Sequence, residues 1–162
     1  MNVAEARSDS PAETIVQHDF FFSCDKGRLK LRVFESGGGE LIRYERQDVA
    51  SARNSHYQIA RTSDPEVLLD ILTKSLGRTG EVKKTRLLYR IGQTRVHIDQ
   101  VEGLGDFLEL EVVLRPDQTE AEGRRIAEEL LAEFGIKRQQ LVAEAYVDLL
   151  SSLASPPLSA RQ

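Results

Sequence analysis

Cys24 is the only cysteine, so neither an intramolecular disulfide nor a multi-cysteine zinc site can form. Long apolar runs are absent too. No stretch approaches the roughly 18 residues that span a bilayer, and the opening MNVAEARSDSPAE lacks the basic start and apolar core of a secretory signal. Excess positive charge is also missing. Lys and Arg number 22 against 26 Asp and Glu, which leaves a net charge of −4 and no whole-molecule basic field to attract nucleic acid. With 5 prolines and 11 glycines, the chain is too poor in both to be fibrous. What is present, 40% apolar and 30% charged residues over 162 positions, suits one globular domain. The expectation is a cytoplasmic protein with no membrane and no nucleic-acid partner.

Residues 1–16 are small, polar and acidic and read as a disordered arm. A single domain is expected over 17–153, followed by a disordered tail over 154–162 that includes Pro156-Pro157. Hairpin punctuation runs from Gln17 to Val113. The stretch QHDFFFSC, Arg28–Phe34, Glu40–Arg46, Asn54–Arg61, Glu81–Ile91, Arg95–Val101 and Phe107–Leu114 read as strands with short turns between them, which favours antiparallel neighbours. Three helices are expected. The first covers about Asp64–Leu76, with capping-box spacing at Ser63 and Glu66 and an apolar stripe of Leu68, Ile71, Leu72 and Leu76. The second covers about Glu120–Phe134, capped by Thr119 and Glu122. The third covers about Lys137–Leu150, with Leu141, Ala145 and Leu149 aligned.

Side chains alternate faces along a strand, and here the alternation sorts by charge. Arg28, Lys30 and Arg32 share one face and Leu29, Leu31 and Val33 the other. Lys84, Arg86 and Arg90 fall together with Leu88. Arg95, His97 and Asp99 share a face, as do Glu109 and Glu111 opposite Leu108, Leu110 and Val112. Arg46 lies two residues past Tyr44. Such charge fits an open sheet with one hydrated face. It also fits short strands curled into a barrel, with helices covering the apolar outer face and the charges pointing inward. Several Lys and Arg with a few carboxylates inside one lumen would suit a polyanion accompanied by a hard divalent cation.

The segments LKLR, ELIRYER, VKKTRLLY, TRVHIDQVEGLGDFLELE and AYVDLL resemble the CYTH superfamily, which groups class IV adenylate cyclases with thiamine-triphosphatases and inorganic triphosphatases. The resemblance extends from about Gln17 to Leu150, and its HID-x-VEGLG-x-FLELE form is closer to the cyclase-like branch. It implies an α+β fold: an antiparallel, barrel-like triphosphate tunnel with helices packed outside. By the same resemblance, Lys30, Arg32, Arg46, Lys84, Arg86 and Arg95 would contact the triphosphate. Asp99, Glu109 and Glu111 would hold Mg2+ or Mn2+, with His97 in support. The implied substrate is ATP or another triphosphate. The implied activity is cyclisation to cyclic AMP and pyrophosphate, with a triphosphatase or a non-catalytic triphosphate binder as alternatives.

The family's early Glu-x-Glu-x-Lys strand is not spelled by residues 1–16, where Glu5 and Glu13 stand alone. Measured against the resemblance, the sequence is short of two metal-side carboxylates and one lysine, which fits a misplaced start, a degenerate copy with an incompletely closed barrel, or a barrel completed in another way. The unpaired edges of an incompletely closed barrel would favour self-association, as a homodimer for instance. The Gly37–Gly39 run lacks the lysine and helix of a phosphate-binding loop and reads as a hairpin turn. Tyr146 reads as a core residue and Cys24 as an inert thiol.

Overall fold

Period-two alternation becomes seven antiparallel strands: β1 (Glu13–Phe22), β2 (Arg28–Phe34), β3 (Gly39–Glu45), β4 (His56–Thr62), β5 (Arg78–Ile91), β6 (Thr94–Val101) and β7 (Gly105–Val112). They form one sheet in the order β4-β3-β2-β1-β5-β6-β7. The helices are α1 (Val3–Arg7), α2 (Pro65–Leu76), α3 (Glu120–Glu133) and α4 (Tyr146–Ala154). This computed structural model describes residues 3–45 and 56–154. Arg46 and the expected tail beyond residue 154 lie outside the described residues.

Register decides which side chains share a face. Arg32 stands opposite Asp19 on β1 and Glu40 on β3, and Lys30 stands opposite Phe21 and Ile42. Arg86 faces Asp99, and His97 faces both Leu88 and Glu109. One face therefore brings together Lys30, Arg32, Asp19, Arg86, Asp99, His97 and Glu109, with Phe21, Ile42 and Leu88 among them. The sheet curls around that face without closing, since β4 and β7 are its two free edges. The edges approach closely enough for the Tyr57 hydroxyl on β4 to reach Glu111 Oε1 on β7, at 3.4 Å. The open, hydrated arrangement is thus replaced by an unclosed barrel with a charged lumen.

The outer face is apolar and covered. Phe20, Phe22 and Leu31 pack with Leu68, Leu69 and Leu72 of α2. Tyr89 and Val96 pack with Ala4 of α1 and Phe134 just after α3. The α3 N-terminus has the expected capping box, in which Thr119 and Glu122 satisfy each other's backbone N–H groups. By contrast, α2 starts from Asp64 with no side-chain cap, and Pro65 opens its first turn. Its stripe is also rotated: Leu69 replaces Ile71 and Leu76, which stay exposed.

Two further expectations fail. Residues 3–16 are not a loose arm. Ala4 is completely buried in α1, and β1 begins at Glu13 because Thr14, Ile15 and Val16 extend the strand with β-branched side chains. The third helix does not start at Lys137. A short 3-10 turn (Arg138–Gln140) is followed by extended chain, and helix resumes only at Tyr146. The connection carries the chain from the outer layer to one end of the barrel. There Ala145 and Val147 pack on Phe21, Val82 and Val101 of the inner face. So α4 plugs the lumen instead of covering the outside, and Arg28 fixes it with a two-pronged ion pair to Asp148 at 3.0 and 2.6 Å.

Candidate anion-binding lumen

Two hairpins build the same unit. On β1–β2, Lys30 Nζ donates to Asp19 Oδ2 at 2.6 Å, while Arg32 donates from Nε to Oδ1 (2.8 Å) and from Nη2 to Oδ2 (2.9 Å). On β5–β6, Lys84 Nζ donates to Asp99 Oδ2 at 2.9 Å, while Arg86 donates from Nε to Oδ1 (2.6 Å) and from Nη2 to Oδ2 (2.7 Å). Each unit is a Lys-x-Arg strand with an aspartate on its neighbour, directly opposite the arginine. The four cations point inward because alternation puts Leu29, Leu31 and Leu87 on the covered face.

Burial makes these pairs electrostatically strong. Desolvation alone would raise the Asp19 carboxyl, but the Lys30 and Arg32 charges and the Arg32 hydrogen bond outweigh it and hold it far below the carboxylate range. Asp99 is fully buried. Its desolvation is likewise outweighed by the Arg86 hydrogen bond and the Lys84 charge, so its pKa is lowered. Burial, opposed by Asp19, brings Lys30 down to about 8. Lys84 is also lowered, by burial and then by the charge of Arg86.

Nearer the open mouth, Arg86 Nη2 also donates to Glu109 Oε2 at 2.8 Å. Glu111 accepts from Arg95 Nη1 at 3.2 Å. His97 is buried between the two glutamates, with Nδ1 at 3.6 Å from Glu109 Oε2 and Nε2 at 4.0 Å from Glu111 Oε2. Among the described residues its Nδ1 has no hydrogen-bond partner. Desolvation alone would raise the Glu109 carboxyl. The neighbouring His97 and the Arg86 and Lys84 charges reverse that and hold it well below its ordinary value.

The residues named from sequence thus separate. Lys30, Arg32, Lys84 and Arg86 converge in the interior, while Arg95, Glu109 and Glu111 stand at the mouth. Asp99 sits deeper, enclosed by Lys84, Arg86 and the Tyr146 hydroxyl, which donates to its Oδ2 at 3.2 Å. Among the described residues, no three His, Cys, Asp or Glu side chains form a ready-made metal cage. Hard divalent cations often use one or two carboxylates and take their remaining ligands from substrate phosphates and water. Glu109 and Glu111 fit that donor set, with side chains 53% and 32% exposed. Asp99 does not, because it is fully buried and held by Arg86, Lys84 and Tyr146, out of reach of the water and phosphate that would complete the coordination.

Sequence reasoning missed Asp19 and undervalued Tyr146. Asp19 had a readable signal, being polar within an aromatic strand one hairpin away from Lys30 and Arg32. Tyr146 does pack in the core against Phe107 at a ring separation of 4.8 Å. It also lies 5.1 Å below Lys84 Nζ and touches Asp99. Only the docking of α4 reveals those contacts.

The family model for the CYTH domain matches residues 2–146. No curated protein matches the chain. Among solved structures, the chain is similar to the PH1012 protein of Pyrococcus horikoshii OT3, with 23% identity, a TM-score of 0.77, and 85% of this chain and 83% of that chain covered. It is similar to a conserved hypothetical protein from Pyrococcus furiosus, at 19% identity and a TM-score of 0.81 over 91% of this chain and 90% of that one. A third likeness is to a "putative adenylate cyclase" from Vibrio parahaemolyticus, at 15% identity and a TM-score of 0.72 over 91% and 88%. At such identities the three likenesses show the fold.

Proposed function

This chain belongs to the CYTH domain family, and on that premise we propose that its lumen grips the triphosphate end of a substrate between the Lys30–Arg32 and Lys84–Arg86 pairs. The observation that carries this reading is the convergence of four buried or nearly buried cations on one inner face. Each keeps N–H donors beyond those given to its aspartate, since an ammonium has three and a guanidinium five.

Charge balance argues for a divalent cation. The four inner cations already face the carboxylates of Asp19, Asp99 and Glu109 at hydrogen-bond distance. A triphosphate brought into a lumen so nearly neutral needs further positive charge. Mg2+ or Mn2+ at Glu109 and Glu111 would supply it and would draw electron density from the reacting phosphoryl group. Arg95 stands beside Glu111, where it would meet phosphate oxygens at the mouth. His97 lies between the two glutamates, with nitrogens 3.6 and 4.0 Å from their carboxylates.

The reaction we favour is of the adenylate cyclase type, the class named for the Vibrio parahaemolyticus neighbour. The ribose 3′-hydroxyl attacks the α-phosphorus, the α–β bridging bond breaks, pyrophosphate leaves and the hydroxyl proton passes to solvent or a base. The chain's own part is positioning and charge stabilisation. Among the described residues, no helix is long and apolar enough to cross a membrane, and a cytoplasmic location goes with this proposal. Incubation with ATP or inorganic triphosphate, with and without Mg2+ or Mn2+, tests it. Cyclic AMP supports the cyclase, and orthophosphate shows a triphosphatase. Tight binding without turnover supports the second reading, a non-catalytic binder, which the burial of Asp99 favours.

A further inference from the structure

The lumen has two unlike walls. On β2, β1, β5, β6 and β7 the inward positions carry the ion-paired lysines, arginines and carboxylates of the lumen, interspersed with Ile15, Val82 and Leu88. On β3 and β4 the rows nearest Lys30 are apolar. Ile42 pairs with Ile59, and Tyr44 pairs with Tyr57. These four share the charged face, because Ile42 stands opposite Lys30 and Tyr44 opposite Arg28 across the β2–β3 pair. Two contacts and one burial agree with that placement. Lys30 Nζ lies 5.7 Å from the Tyr44 ring centre, Tyr57 reaches Glu111 across the mouth, and Ile42 is buried without belonging to the apolar clusters of the outer face or the plug. Tyr57 and Ile59 nevertheless remain 50% and 47% exposed. A phosphate chain gains nothing from such a surface, whereas a flat aromatic ring stacks on it.

We infer that Ile42, Tyr44, Tyr57 and Ile59 form the seat for the aromatic base of a nucleoside triphosphate, so that the lumen is built for a nucleotide in preference to inorganic triphosphate. This rests on the proposed function, since the triphosphate end must lie along Lys30 and Arg32. Neighbouring strands are about 4.8 Å apart. The apolar wall therefore begins one strand from the phosphate-facing cations, and β4 lies one strand further, a separation that a ribose spans. The Tyr57 hydroxyl, held by Glu111, turns the ring into a fixed shelf at the mouth. Glu40 and Arg61, whose carboxylate and Nε lie 3.6 Å apart, close the next row of this wall. A stacking seat contacts ring faces and not base edges, so it favours nucleotides as a class without choosing among bases.

Calorimetry with ATP and with inorganic triphosphate, each with Mg2+, tests this on wild type, Tyr57→Ala, Tyr57→Phe and Ile59→Ala, with circular dichroism as the check on folding. Wild type should bind ATP more tightly than inorganic triphosphate. Tyr57→Ala should lose about tenfold more affinity for ATP than for triphosphate, which feels only the lost Tyr57 contact to Glu111, and Ile59→Ala should weaken ATP binding while leaving triphosphate binding unchanged. Tyr57→Phe should keep most of the ATP affinity, because the ring is retained. If wild type binds inorganic triphosphate as tightly as ATP, or if Tyr57→Ala and Ile59→Ala weaken both ligands alike, the stacking wall is refuted while the triphosphate reading stands. If wild type binds neither ligand, both fall. Should either alanine variant misfold, the wild-type preference and Tyr57→Phe still decide.

Discussion

Replacing Asp19 with Asn should make the protein less stable and its hold on triphosphate stronger. Asp19 accepts from Lys30 and Arg32, and the three side chains are only 4%, 14% and 14% exposed. The amide keeps the shape but removes the negative charge and leaves two nearly buried cations facing a neutral group. Breaking a buried pair in this way costs about 3–4 kcal/mol. For a chain of this length that corresponds to a fall in Tm of roughly 6–16 °C. Bound phosphate feels the opposite effect, because a competing carboxylate has gone. At a separation of about 5 Å and an effective dielectric near 20, one unit of repulsion is worth up to ~3 kcal/mol, so a gain of tenfold or more in affinity is expected. The assay is thermal denaturation without ligand, then calorimetry with Mg-triphosphate at several pH values, because losing Asp19 removes the charge that holds the Lys30 pKa up. A normal Tm, or weaker triphosphate binding in a folded variant, would refute the view that Asp19 holds these cations in place of the anion.

Three other outcomes are expected. Because Lys30 is lowered from its ordinary 10.5 to about 8, the unfolded chain binds the extra proton between those values, so this lysine's contribution makes stability rise with pH across that window. Triphosphate affinity should fall about tenfold per pH unit above 8 as binding has to restore that proton, and Lys30→Arg should flatten the profile in calorimetric titrations. Glu109→Gln and Glu111→Gln should each abolish metal-dependent product formation, Glu111→Gln with little change in Tm and Glu109→Gln with a lower one, since Glu109 pairs with the buried Arg86 and its carboxyl is held well below its ordinary value, and Asp99→Asn should lower Tm as Asp19→Asn does; unchanged turnover in both glutamine variants would contradict their assigned role. A methyl group at Gly80 would sit 2.6 Å from Val147 Cγ2, so Gly80→Ala should push α4 from the barrel end, cost about 1–3 kcal/mol, and speed amide exchange in α4 before the rest of the chain.

The strands were readable because their signal is local. Leu29, Leu31 and Val33 interleaved with Arg28, Lys30 and Arg32 state both the period and the sorting of faces before any partner is known. Lys84, Arg86, Glu109 and Glu111 were found by the same rule. Which carboxylate would answer which cation depends on register. Asp19 meets Arg32 only after the Asp25–Gly27 turn sets the β1–β2 pairing, and Asp99 is drawn to Arg86 by the β5–β6 pairing. The segment after α3 misled for a different reason. Its Leu141, Ala145 and Leu149 have helical spacing, but Ala145 and Val147 bury their side chains in the lumen cluster instead, and a continuous helix from Lys137 would not take the chain there. Short-range propensity lost to packing against Phe21, Val82 and Val101.

The repeated Lys-x-Arg and Asp unit explains how a lumen can be preassembled and still accept an anion. A guanidinium left alone in a buried site would swing toward solvent or carry a large desolvation cost. Here each aspartate takes the Nε–Nη2 edge of its arginine, which fixes the plane of the fork, while the Nη1 edge keeps two donors for a further acceptor. The Lys two residues earlier shares the same carboxylate, so both cations of a strand are aimed by one group on the neighbouring strand. Two such hairpins meet at the β1–β5 pair, where Gln17 stands opposite Lys84. A triphosphate spanning that seam would touch both units at once, and its charge would compete with both aspartates together. Orientation is thus fixed in advance at the expense of net positive charge. On the proposed reading, the same geometry that builds the cradle would call for an added divalent cation to accompany the ligand.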